Sequence, residues 1–163
     1  MNVVFMLTSK RMKQACDLAS ESVLQHGTGP FGCVITDNLG NVIGEGHNRV
    51  TLDKDPTQHA EIVAIRNACK KAGIFDLSGC ILYTSCEPCP MCLSAIYWAR
   101  IDKVFYGNTR KDAKEIGFDD DFIYEEVNKR IEERTIPMEK WVDTEYAKTS
   151  FQMWSKKEDK IQY

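Results

Sequence analysis

The chain has 163 residues, 43% of them hydrophobic and 28% charged, the length and balance of one ordinary globular domain able to bury a core. A formal net charge of −3 argues against a protein built to grip tRNA or DNA, since phosphate contacts call for a basic face, and it favours a small, uncharged or weakly charged substrate. No segment approaches the roughly twenty apolar residues that span a bilayer, and seven cysteines, an odd number with three at short spacing, suit metal binding in a reducing compartment better than a disulfide framework.

The apolar run over 3–7 is too short for a signal-peptide core, so a cytoplasmic protein is expected. Thr8 or Ser9 can cap a first helix, along which Met12, Cys16, Ala19 and Val23 recur at helical spacing until Gly27 stops it. A strand is expected over 31–36, turn chemistry over 37–41, and the returning strand of a hairpin over 42–47. A polar loop over 48–58 leads into a second helix over 59–72, with Gly73 at its C-terminal cap. A short strand over 80–84, a third helix opened by Pro90 over 90–99, and a strand over 103–106 follow. Strands alternating with helices imply crossovers and a partly parallel sheet with helices on its faces. Beyond Thr109 the pattern weakens: an acidic turn over 118–121, a helix over 122–129, a last strand over 136–141, and a final helix carrying Ala147, Phe151 and Trp154. No repeat, low-complexity segment or linker divides the chain, so one domain over 1–163 is expected.

Two segments carry chemistry: His59-Ala60-Glu61 and Pro88-Cys89-Pro90-Met91-Cys92. One imidazole and two thiolates are the ligand set of a catalytic zinc, which keeps a fourth position open for water. Cys89 and Cys92 fall on one turn at a helix start, where the positive end of the helix favours thiolate, and His59 opens another helix. Glu61 is placed to handle the proton of a water at that centre. The combination H-x-E with P-C-x-x-C is an established zinc-deaminase signature. A purely structural zinc would want four protein ligands, with Cys86 as the fourth; such a site leaves Glu61 and the two prolines around Cys89 unexplained. Cys16, Cys33, Cys69 and Cys80 lie on apolar faces and are expected in the core. His26 and His47 are expected in loop or core roles.

The resemblance extends past this signature. Gly29-Pro30-Phe31-Gly32, Asn48, Asp55-Pro56-Thr57, and Tyr83-Thr84-Ser85-Cys86-Glu87 around the motifs are similar to the nucleobase and tRNA branch of the cytidine-deaminase-like superfamily. Ala95-Ile96-Tyr97-Trp98-Ala99-Arg100, Gly117-Phe118-Asp119-Asp120, Glu133-Arg134-Thr135-Ile136-Pro137 and Tyr163 resemble the short bacterial-type guanine deaminases over nearly the whole chain. Cys33 and Ser94 depart from the small alanine and the glycine usual there. The resemblance implies an α/β fold, three layers α/β/α around a mixed five-stranded sheet, with Zn2+ as cofactor and hydrolysis of the purine base guanine to xanthine and ammonia. It implies a homodimer in which a C-terminal segment from about residue 118 to 163 is exchanged between subunits, with no nucleic-acid or membrane partner. By position it makes His59, Cys89 and Cys92 the metal ligands and Glu61 the proton shuttle, assisted by Asp120. Asn48 should hydrogen-bond the purine; Phe31, Ala60 and Trp98 should line its pocket; Tyr163 should reach the partner's site. The alternatives are guanosine, tRNA adenosine or cytosine as substrate, or a non-enzymatic zinc protein. Intact Glu61 argues against the last. Lys156, Lys157 and Lys160, offset by Glu158 and Asp159, do not make the basic arm expected of a tRNA enzyme.

Overall fold

The computed structural model describes residues 3–141 and 145–163, and the described chain divides into two compact units, Met1–Asp121 and Phe122–Tyr163. The first contains α1 (Val3–His26), β1 (Gly32–Thr36), β2 (Val42–His47), α2 (Val50–Asp53), α3 (Ala60–Ala72), β3 (Ile81–Cys86), α4 (Pro90–Trp98), β4 (Lys103–Asn108) and α5 (Arg110–Glu115). The strands form one sheet in the order β2-β1-β3-β4. The hairpin β1–β2 and the pair β1–β3 are antiparallel, whereas β3 and β4 run parallel across the α4 crossover.

Both faces of the sheet are covered. Ala15, Val34 and Tyr83 pack with Met12 and Leu18 on the α1 side; Cys33, Ile35, Leu82, Ala60, Ala64, Ala68 and Ile96 pack on the α3 and α4 side. The result is the three-layer α/β/α arrangement the sequence implies. A close approach that bears on the site lies between β2 and α3. A Cβ on Gly46 would stand 2.5 Å from the Ala60 carbonyl oxygen and 2.7 Å from the Ala64 nitrogen. Only hydrogen fits there, so the Ala60-Ala64-Ala68 stripe lies directly on the strand. This contact fixes where α3 begins, and hence where His59 and Glu61 sit.

Three expectations are corrected. The strand expected over 136–141 does not form; these residues are irregular, Ile136 and Trp141 are exposed, and Pro137 has no N–H to give to a ladder. The sheet therefore has four strands among the described residues, not five. Helix α1 begins five residues before the expected cap, the apolar run from Val3 being its first turns. Its buried face is Met12, Ala15, Ala19 and Ser22 rather than Met12, Cys16, Ala19 and Val23, and this leaves Cys16 exposed, not in the core. Two short helices were not expected: α2 inside the 48–58 loop, and α5, which Thr109 and Asp112 start with a reciprocal capping box.

The second unit contains most of α6 (Asp121–Asn128), a 3-10 turn (Ile131–Glu133) and α7 (Glu145–Lys156). Glu126 ties this unit's loop to its helix, accepting from Lys129 at 2.5 Å and from the Thr135 nitrogen at 2.7 Å; these bonds hold its carboxyl down to about 2. No helix among the described residues is long and apolar enough to cross a membrane.

Candidate active site

Two helix starts meet at one point. His59 is the N-cap of α3 and Cys89 the N-cap of α4, each with extended backbone angles. Pro90 occupies the first helical position after Cys89, where its missing N–H costs nothing. Neither N-cap side chain makes a capping hydrogen bond, and both turn toward a shared centre. Cys92, one turn into α4, is fully buried beside them.

The donor atoms of His59, Cys89 and Cys92 all lie within 4.8 Å of one another. Each sulfur is 3.5 Å from His59 Nδ1. Tetrahedral zinc, with bonds of about 2.3 Å to sulfur and about 2.0 Å to nitrogen, separates such donors by about 3.5 Å. Donor chemistry and spacing both fit zinc with three protein ligands and one position left for water. In the chain itself the two thiols share one charge. Cys89 is held down to about 4, chiefly by the hydrogen bond from Cys92, and Cys92 is pushed far up by the same contact and by burial. The hydrogen bond to Cys89 raises His59. Cys86 stands outside the group: its thiol donates to the Thr109 carbonyl at 3.6 Å, and burial pushes it up to about 11. The four-ligand structural site thus has no fourth member among the described residues.

Glu61 sits next to this centre, almost wholly buried on the first turn of α3. Its Oε1 accepts from Thr84 Oγ1 at 2.8 Å, and its Oε2 lies 3.4 Å from Cys92 Sγ. Burial pushes its carboxyl up from the ordinary carboxylate range. Thr84 was not singled out from the sequence; it reaches Glu61 across 23 positions, a pairing no local spacing reveals. Ala60, between His59 and Glu61, is fully buried.

Asp120 lies on the loop between α5 and α6. Its Oδ1 is buried without a hydrogen-bond partner, and burial first, then the Cys89 charge, pushes its carboxyl up. Lys114 grips the residues on either side, Asp119 at 3.0 Å and Asp121 at 3.4 Å, which leaves Asp120 to face inward. Phe118 on the same loop meets the Phe31 ring edge-on, with centroids 4.9 Å apart at 88°.

Asn48 is buried just beyond β2. Its Oδ1 accepts from the Val50 nitrogen at 3.2 Å and so starts α2; the residue is therefore a turn former as well as a site candidate. His47 directs Nδ1 to the Asn48 carbonyl at 2.9 Å. The side chain of His26 lies outside what is described. Trp98, at the end of α4, is 66% exposed. Tyr163 belongs to the second unit and is also exposed.

A family model for the cytidine and deoxycytidylate deaminase zinc-binding region matches residues 7–108, a span that includes His59, Glu61, Cys89 and Cys92. Guanine deaminase of Bacillus subtilis strain 168 is 53% identical over 152 residues, covering 93% of this chain and 96% of that protein. The X-ray structure of guanine deaminase from Bacillus subtilis superposes with a TM-score of 0.91 at 51% identity, covering 100% of this chain and 99% of that one. The tRNA-specific adenosine deaminase of Haemophilus influenzae is 41% identical over 98 residues, 60% of this chain and 56% of that protein. With its three-donor centre and adjoining carboxylate, the chain belongs to the cytidine and deoxycytidylate deaminase zinc-binding family.

Proposed function

We propose that the protein hydrolyses guanine to xanthine and ammonia in a zinc-dependent reaction of purine catabolism. The observation that carries this reading is the extent of likeness: similarity to the Bacillus subtilis guanine deaminase runs over nearly the whole of both chains, whereas that to the tRNA-specific adenosine deaminase covers 60% of this one. The net charge of −3 also favours a purine base over a nucleic acid.

His59, Cys89 and Cys92 hold the zinc. When bound, zinc lowers the pKa of a coordinated water toward neutrality and so supplies a nucleophile at physiological pH. Glu61, anchored by Thr84, takes the water's proton as its oxygen attacks C2 of guanine and passes that proton to a ring nitrogen. Asp120 or Glu61 then delivers a proton to the departing amino nitrogen and recovers one from the hydroxyl on C2, so that ammonia leaves and C2 keeps the oxygen as a carbonyl. Asn48 offers Nδ2 as a donor to the acceptor edge of the base. Phe31, Ala60 and Trp98 line the ring.

The active form is a homodimer in the cytoplasm that exchanges C-terminal segments, with Tyr163 reaching the partner's pocket and excluding water. Exposure of Phe151, Trp154 and Tyr163 supports the exchange, and the absence of disulfides among seven free cysteines supports the compartment. Ammonia release from a panel of guanine, adenine, cytosine, guanosine and tRNA tests the reading. Guanine should give the highest kcat/KM; a higher value for guanosine would overturn the substrate while leaving the chemistry.

A further inference from the structure

A buried polar network stands behind Asn48. Gly27 ends α1 in the left-handed conformation, at φ +59, which favours glycine. The turn returns Thr28 to the last turn of the helix, with its nitrogen on the Ser22 carbonyl at 3.3 Å. Ser22 and Thr28 are both buried, and their hydroxyls contact each other. Thr28 Oγ1 then donates to the Asn48 carbonyl at 2.9 Å.

Nearly all the polar capacity of Asn48 is thereby committed. Its carbonyl receives Thr28 Oγ1 and His47 Nδ1, both at 2.9 Å, which uses both lone pairs. Its nitrogen donates to the Phe31 carbonyl at 3.0 Å, and its Oδ1 accepts from Val50. Oδ1 keeps one lone pair beside its bond to Val50, whereas both hydrogens of Nδ2 remain, so the residue presents mainly donors to a ligand. A base with an acceptor at C6, such as guanine, satisfies it; one with an amino group there opposes donor to donor, and a site built this way rejects the mismatch strongly.

We propose that Thr28, backed by Ser22, is a positioning residue for substrate choice: its hydroxyl fixes the Asn48 backbone and so aims the amide donor at the C6 edge of the base. This rests on the reading of Asn48 given above. Neither residue belongs to a recognisable motif, because the hydroxyl pair meets Asn48 across 20 or more positions of sequence.

The test compares guanine with 2,6-diaminopurine, which keeps the reacting C2 amino group but carries an amino group at C6. In Thr28→Val, which keeps shape and loses the hydroxyl, KM for guanine should rise about tenfold and the guanine-over-diaminopurine preference in kcat/KM should fall at least about fivefold, as expected when a buried carbonyl loses a donor. Zinc content should hold and kcat should change less than about threefold, and Thr28→Ser should restore the preference. An unchanged preference with a lowered Tm would show a merely structural role and overturn the proposal. If Thr28→Val does not fold, Ser22→Ala carries the test, with a two- to threefold loss of preference expected and no loss overturning it. Wild-type turnover of guanine judges the substrate reading separately; if another base proves to be the substrate, the same ratio is taken between that base and its analogue altered at the matching position.

Discussion

The unit Met1–Asp121 buries Ile35, Leu77, Leu82 and Val34 completely, and its two core clusters fill both faces of a four-stranded sheet. The unit Phe122–Tyr163 buries none of its described residues, yet it carries Trp141, Tyr146, Phe151, Trp154 and Tyr163. In the first, apolar side chains satisfy one another, and the zinc-fitting donors sit where two of its helices begin. In the second, Ala147, Phe151 and Trp154 form a helix stripe on α7 with no buried residue beside it among the described residues of that unit, and an apolar stripe of this kind is stabilised when another surface covers it. The contrast separates a scaffold that holds the reactive groups by itself from a segment whose sequence calls for something to cover it.

That separation is sharpened first at the metal. Cys89→Ala leaves two donors of the three, so zinc content should fall from about one per chain to near zero and turnover should disappear with it. Retained zinc would show that the ligands are misassigned, and Cys86 would be the next residue to replace. Glu61→Gln asks whether the carboxylate acts on protons or on the metal. Zinc and fold should persist while turnover drops by at least about 10²–10⁴; a variant within tenfold of wild type would remove Glu61 from the proton path.

A third substitution probes the scaffold without touching a reactive group. A methyl group added at Gly46 meets the Ala60 carbonyl at 2.5 Å and Ala64 N at 2.7 Å. Gly46→Ala should therefore cost about 1–3 kcal/mol in stability. It should also weaken zinc binding and lower kcat, because α3 carries His59 at its N-cap and Glu61 in its first turn. Normal zinc affinity with lowered stability would show that the helix start is set by something other than this contact.

The metal-binding half of the site was legible because its signals are short. Two residues separate the two cysteines, one separates His59 from Glu61, and Pro90 marks the helix start. The polar supports were not, since Thr84 to Glu61 and Thr28 to Asn48 are long-range hydrogen bonds created by the sheet and by the α1 cap. The buried stripe of α1 was read one residue off. Cys16 and Val23 have the right spacing and polarity, but Ala15 and Ser22 face the strands, where small residues allow Gly32 to approach the helix. Thr109-x-x-Asp112 carried a readable capping signal for α5, and the apolar residues over 136–141 suggested a strand that Pro137 argued against.

The smallest expected effect belongs to the second unit. A chain ending before Ile161 should keep its zinc and show KM raised or kcat lowered by about tenfold, the scale of losing pocket closure rather than a reacting group. Whether that closure acts on another subunit is read most directly by mixing this truncated chain with a full-length Glu61→Gln chain, each impaired alone. In a heterodimer one pocket has an intact Glu61 together with a partner's intact tail. Activity should return well above the sum of the two parents; no return, in the presence of demonstrated heterodimers, would contradict exchange and confine closure to a single chain.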